Sequence, residues 1–245
     1  LLSEINLGGT AIGTQLNAPA GYAQLACDKL SSLSGIKFVI AEDMVEATQD
    51  AGVFITVSGV LKRVAVKLSK MANDLRLLSS GPRAGFGEIN LPARQAGSSI
   101  MPGKVNPVIP EVVNQVAFAM VGYDMTVTMA VEAGQLQLNA FEPVITRALM
   151  MGITQLSAAC LTFADNCVTG ITANVDKLRT DVENSIGLVT ALSPVIGYEN
   201  ATLVAQTAAA QNASVKAVVL QLGLMTEAEF NAILGDVDKL VRPNG

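Results

Sequence analysis

Two stretches of this chain carry almost no charge. Between Val108 and Ala133 the charged residues are Glu111, Asp124 and Glu132, and between Asn139 and Val168 they are Glu142, Arg147 and Asp165. Both are long enough for helices of seven turns or so, and a helix that is apolar nearly all round must be buried on all sides. A third pattern runs from about Glu42 to Ser80. Its apolar positions follow a heptad through Phe54, Val57, Leu61, Val64, Leu68, Met71, Leu75 and Leu78, with Lys62, Arg63, Lys67 and Lys70 off that seam. At 1.5 Å per residue this helix would be about 60 Å long, more than a compact monomer uses. The expectation is a long bundle shared between subunits, with the two low-charge helices as an interface at the centre of an oligomer. Met120, Met125, Met129, Met150 and Met151 then read as core filler.

The remaining segments are shorter. Tyr22 to Leu33 reads as a helix stopped by Gly35, Lys37 to Ile40 as an extended link, and Gly81-Pro82 as the stop of the long helix. A short strand is expected at Glu88 to Leu91. Composition changes near Thr169, after which helical patterns at Asn174–Ser185, Tyr198–Ala210 and Ser214–Leu222 are separated by turn residues, and Thr226 to Glu229 makes a capping box before Phe230–Leu234. The fold class expected is all-α: a long central helical bundle over residues 1–169 and a small C-terminal helical domain over 170–245.

Composition removes several function classes. With 50% hydrophobic and 15% charged residues the chain is not disordered. A net charge of −5 without a basic stripe argues against nucleic acid. Histidine is absent, so no imidazole base or metal ligand comes from this chain. Cys27, Cys160 and Cys167 show no metal or redox spacing, and the last two would lie about 10 Å apart along a helix axis. They read as buried thiols of a reducing cytosol, and no metal or other cofactor is called for. The most lipid-like run, Val112 to Val131, contains Asn114, Gln115 and Asp124 and suits a buried helix better than a membrane span. The sequons at Asn200 and Asn212 carry no meaning in that compartment. Gly8, Gly9 and Gly13, in LGGTAIGTQLNAP, lack dinucleotide spacing and read as a tight helix–helix connection.

The chemistry concentrates in Gly97 to Glu111, GSSIMPGKVNPVIPE. Gly97, Pro102, Gly103 and Pro107 dictate the path of a loop held between helical supports. Ser98 and Ser99 offer hydroxyls, Lys104 a point charge, Asn106 an amide donor, and the backbone N–H groups near the glycines a cradle for an anion. Together they suit a small anionic substrate. A P-loop is excluded, because five residues separate Gly97 from Gly103-Lys104 and Val105 follows where Ser or Thr is needed.

This segment closely resembles the signature loop of the aspartase/fumarase superfamily, Gly-Ser-Ser-x-x-Pro-x-Lys-x-Asn-x-x-x-x-Glu, at every fixed position. The likeness extends over the whole chain, through NDLRLLSSGPRAGFGEINLP before the loop and GQLQLNAFEPV after it, and the GTAIGT stretch is also similar to one near the family's active site. It implies a homotetramer, cytoplasmic, whose active sites are each built from three subunits, and elimination from a small dicarboxylate to give fumarate. By resemblance Ser98 is the base, Lys104 and Asn106 hold the carboxylate that gathers charge as an aci-carboxylate, and Ser99 touches substrate. Glu111 is either a supporting carboxylate or simply a helix-start residue suited to the dipole. Gln135 to Asn139, Glu142-Pro143 and Asn114-Gln115 lean toward the aspartase branch, which expels ammonia from L-aspartate. The alternatives are a class II fumarase, with water as leaving group, and a catalytically silent helical assembly module. Two further substrate-binding segments of the family, a Thr-Ser-type and a Gly-Arg-Thr-type loop, are not in this sequence, which therefore resembles the C-terminal part of a subunit.

Overall fold

The computed structural model describes residues 2–81, 83–97 and 99–235. Among them are ten α-helices and four two-residue strands, so the all-α expectation holds. The described residues divide into two compact units, one within residues 2–80 and 91–171, the other within 81–90 and 172–235. The segment Gly81–Asn90, which the sequence keeps with the bundle, thus goes with the second unit; Pro82, half of the expected stop signal, lies outside the described residues.

The first unit begins with β1 (Glu4–Ile5), which pairs in parallel with β2 (Val39–Ile40) around helix α1 (Tyr22–Ser34). Helix α1 ends at Gly35, whose φ of 72° is the left-handed cap that glycine supplies most easily. The glycine-rich start is irregular rather than a helix connection. A Cβ on Gly13 would lie 2.2 Å from the carbonyl oxygen of Met44, so glycine is what lets this loop lie against the first turn of α2 (Met44–Gln49).

The long helix expected from Glu42 to Ser80 is two helices. Asp43 caps α2 by accepting from Val45 and Glu46 N–H at 2.9 and 3.0 Å. Asp50 is extended (ψ 121°), its carboxylate takes the Gly52 N–H at 3.2 Å, and α3 (Gly52–Leu78) starts afresh. Its 27 residues give about 40 Å rather than 60.

The seam of α3 also differs from the expected one. Ser58, Ala65 and Ala72 are fully buried, while Val64 and Met71 are 41% and 50% exposed. The inward stripe is therefore Phe54, Ser58, Leu61, Ala65, Leu68, Ala72 and Leu75, a heptad that alternates large with small, and Val57 of the expected seam packs beside it. Small residues at one of the two seam positions let the partner helices approach closely. Those partners are α4 (Val108–Glu132) and α5 (Glu142–Phe163), the latter continuing as a π turn, Ala164–Val168. Gly152 of α5 serves the same end, since a Cβ there would lie 2.8 Å from Met120 Sδ.

Helices α4 and α5 are joined by a corner built on one buried amide. Asn139 donates to the Ala130 and Val131 carbonyls at 3.0 and 3.3 Å and accepts from the Phe141 N–H at 2.8 Å, which ends one helix and starts the next. Neither helix is buried on all sides within the unit. Phe118, Val121, Met125 and Met129 on α4 and Met150, Ile153 and Leu161 on α5 stay exposed, so the methionines are only partly core. The run Glu142–Val168 is long and apolar enough to cross a membrane by length and composition, rather than Val112–Val131. Its inner face, Ile145, Ala148, Leu149, Leu156 and Phe163, is packed in the bundle. Cys27 and Cys167 are buried, Cys160 is half-buried, all three are free, and burial pushes the Cys167 thiol up.

The second unit holds β3 (Ile89–Asn90), antiparallel to β4 (Thr172–Ala173), and helices α6 (Val175–Asn184), α7 (Val189–Ile196), α8 (Tyr198–Gln211), α9 (Val215–Gln221) and α10 (Glu227–Gly235). Asn174 fastens this strand pair, donating to the Gly87 carbonyl at 2.7 Å. Helix α7 was not legible in the sequence, because Pro194 interrupts its pattern. The core gathers Leu192, Val204, Val215, Val218, Val219 and Phe230, and the Thr226–Glu229 capping box forms with reciprocal bonds of 2.8 and 3.3 Å.

One ion pair crosses the α3–α4 contact. Asp124 is buried on α4 and accepts from Ser58 and from Lys62, so Lys62 is not merely a solvated residue off the seam. Burial alone would raise this carboxyl, but the hydrogen bonds from Lys62 and Ser58, with the lysine's charge, outweigh it and hold Asp124 below its ordinary value of 3.8. The stability it supplies is therefore full above that value and lost as pH falls through the lower folded-state value. Asp124→Asn should cost about 1–2 kcal/mol near neutral pH, the half-exposed lysine keeping the figure small. Thermal unfolding from about pH 7 to about pH 3 should show a shallower acid slope in the variant; parallel curves would mean the carboxylate is not coupled to folding.

Candidate active site

The Gly97–Glu111 loop lies wholly within the first unit. Its two ends rest on one hydrophobic cluster. Ala72 of α3, Val113 of α4, and Phe163 and Cys167 at the end of α5 form it, with Leu91 packed on it from upstream of the loop and Ile109 from downstream. Pro92 lies beside Gly170, where a Cβ would come within 3.2 Å of Pro92 Cγ. The guanidinium of Arg94 donates to the carbonyls of Asn166 and Asp165 at 3.0 and 3.3 Å.

Between these supports the chain doubles back. Pro102 and Gly103 take the central places of a four-residue turn closed by Lys104 N–H to the Met101 carbonyl at 3.1 Å, with Gly103 at φ 81°. Proline second and left-handed glycine third is the type II pattern. The turn brings the Lys104 carbonyl against Gly97: a Cβ on Gly97 would sit 2.5 Å from that oxygen. Gly97 is thus required by close approach, and the backbone of Lys104 lies next to the residue preceding Ser98.

The downstream limb becomes α4 without a side-chain cap. Val108 N–H bonds the Asn106 carbonyl at 2.9 Å, Glu111 N–H bonds that of Pro107 at 3.1 Å, and Pro110 brings no N–H. Few donors of this first turn need a partner. One turn on, buried Asn114 donates to Ser69 Oγ and carbonyl at 2.8 and 3.1 Å and accepts from Arg76 at 3.1 Å. This amide fixes the start of α4 to α3.

Of the site residues read from the sequence, Ser98 lies outside the described residues. Ser99, Lys104 and Asn106 are exposed along the loop, and Glu111 is half-buried in the first turn of α4, where its charge suits the helix dipole. Arg94 and the anchoring role of Asn114 were missed. A buried Asn in an apolar helix was a usable signal; nothing in sequence spacing pointed Arg94 at a segment seventy residues away. Among the described residues no three His, Cys, Asp or Glu side chains gather as a metal site.

Residues 1–122 match a family model described as Lyase, and residues 188–242 one described as Fumarase C C-terminus. Over 243 residues the sequence is 56% identical to the aspartate ammonia-lyase of Escherichia coli K12, covering 99% of this chain and 51% of that protein. The chain belongs to the aspartase/fumarase superfamily. The Corynebacterium glutamicum aspartate ammonia-lyase is 52% identical, over 99% of this chain and 46% of that protein. Among solved structures, a Brucella melitensis protein described as fumarate lyase:delta crystallin, bound to cobalt, superposes with a TM-score of 0.90 at 54% identity, over 95% of this chain and 50% of that one. The recombinant class II fumarase of Schistosoma mansoni does so with a TM-score of 0.90 at 32% identity, over 100% of this chain and 54% of that one. The chain spans about half the length of the curated relatives it matches.

The close approach at Gly97 gives a direct test. Gly97→Ala should push the Lys104 limb away and expose its backbone, so trypsin should cleave after Lys104 faster than in the parent. Unchanged cleavage would show that the limb tolerates a Cβ at Gly97.

Proposed function

We propose that the full-length protein carrying this chain deaminates L-aspartate to fumarate and ammonia. The observation that carries this reading is the 56% identity to an aspartate ammonia-lyase over 99% of the chain. The signature loop supports it, with the backbone of Lys104 folded back against Gly97 by the type II turn.

In this reading Ser98, as alkoxide, removes a proton from the aspartate carbon next to the side-chain carboxylate. The electron pair moves into that carboxylate, giving an aci-carboxylate with an extra negative charge. Lys104 and Asn106 hold it, and backbone N–H groups of the loop stabilise the serine alkoxide, which a free hydroxyl could not supply near neutral pH. When the pair returns, the carbon–nitrogen bond breaks and ammonia leaves, giving fumarate. Ser99 contacts substrate, and Glu111 supports the loop's helix. The protein works as a cytoplasmic homotetramer with sites shared between subunits. The apolar stripes left exposed on α4 and α5 support burial against further copies.

Two experiments on the full-length protein test these roles. Ser98→Ala should lower the rate by about two to four orders of magnitude and abolish deuterium exchange at the abstracted position; exchange at the parent's rate would assign the base to another residue. Lys104→Met should be inactive and Lys104→Arg partly active, since arginine keeps the charge but not its shape. Following fumarate by ultraviolet absorbance identifies the leaving group: faster formation from malate than from aspartate would make the protein a fumarate hydratase.

A further inference from the structure

The upstream limb of the loop is fastened differently from the downstream one. Downstream, α4 is rigid from Val108 and tied by Asn114. Upstream, Leu91 packs on the cluster, Pro92 lies beside Gly170, and Arg94 ties the limb to the end of the bundle by hydrogen bonds. Its acceptors are defined by the π turn. There the Ala164 carbonyl takes the Thr169 N–H at 2.9 Å, while the next two carbonyls, of Asp165 and Asn166, take the arginine. Carbonyls at a helix end lack intrahelical donors and carry partial negative charge, which a guanidinium fork satisfies in a fixed orientation.

We propose that Arg94 is a positioning residue for the signature loop: by gripping the π turn after α5 three residues before Gly97, it sets where Gly97 meets the backbone of Lys104. This rests on the reading of Ser98 as base. Arg94 is exposed, so removing it opens no cavity and leaves the bundle core intact. A misplacement of an ångström or so can still cost a reaction roughly a hundredfold. Arg94 touches no reacting atom in this scheme; it acts through the backbone path.

The test uses Arg94→Ala and Arg94→Lys in the full-length protein, with amide hydrogen exchange and steady-state kinetics on aspartate. Arg94→Ala should speed exchange over residues 95–107, lower kcat by about ten- to a hundredfold, and leave KM within about threefold. Its unfolding temperature should stay close to the parent's. Arg94→Lys should recover part of kcat, since it keeps a cation at the helix end but not the fork. Faster exchange confined to residues 160–170 with kcat unchanged would reduce Arg94 to a helix cap and overturn the proposal. So would exchange over 95–107 that matches the parent. If the parent itself releases no ammonia from aspartate, the proposed activity falls, and the exchange experiment still decides whether Arg94 holds the loop.

Discussion

The packing of Phe163 and Cys167 against Ala72 and Val113 is the contact on which the site stands. It is where three helices of the bundle meet, and both limbs of the loop end on it, through Leu91 and Ile109. Burial of apolar groups has no preferred direction, so such a cluster fixes position only roughly. Direction comes from the polar bonds at its rim: Asn114 to Ser69 and Arg76 on one side, Arg94 to the π-turn carbonyls on the other. Within the loop, Pro102 and Gly103 set the turn at 101–104, which lays the Lys104 carbonyl against Gly97.

How much of this could be read from the sequence depends on the physical signal. Helix α4 was legible almost to the residue, since twenty-five residues of low charge end at a turn. The α3 seam was legible in period and at one of its two positions, Phe54, Leu61, Leu68 and Leu75, but the other lies one residue further on. A heptad reading favours large apolar residues, and it chose Val64 and Met71 over Ala65 and Ala72. Close helix approach is a requirement of backbone geometry, and hydrophobicity alone does not reveal it. The break at Asp50 was hidden for a similar reason: an Asp followed by Ala-Gly is compatible with a helix, and only the local bond from Gly52 N–H shows the chain choosing otherwise.

The loop was legible for a different reason. Its residue types are a dense pattern, and that pattern pointed to family and chemistry before any geometry was known. What the pattern does not contain is its own support. Arg94 sits outside the motif, and its partners are main-chain carbonyls, which leave no mark on the side chains of Asp165 or Asn166. Anchors of this kind become visible only with coordinates.

The spacing of these anchors along the chain is unequal. The Asn139 bonds that join α4 to α5 span eight and nine residues, and the Asn114 bonds to Ser69 span 45. Those of Arg94 span 71 and 72. A short corner re-forms after each fluctuation at little entropic cost, whereas a long closure is held only while the elements it joins stay docked. The upstream limb therefore belongs to the cooperative unit made by α3, α4 and the end of α5 together, and it shares that unit's opening equilibrium. The limb keeps its path only while the whole helical end is folded, so protection of its amides doubles as a report on the integrity of the bundle beneath it.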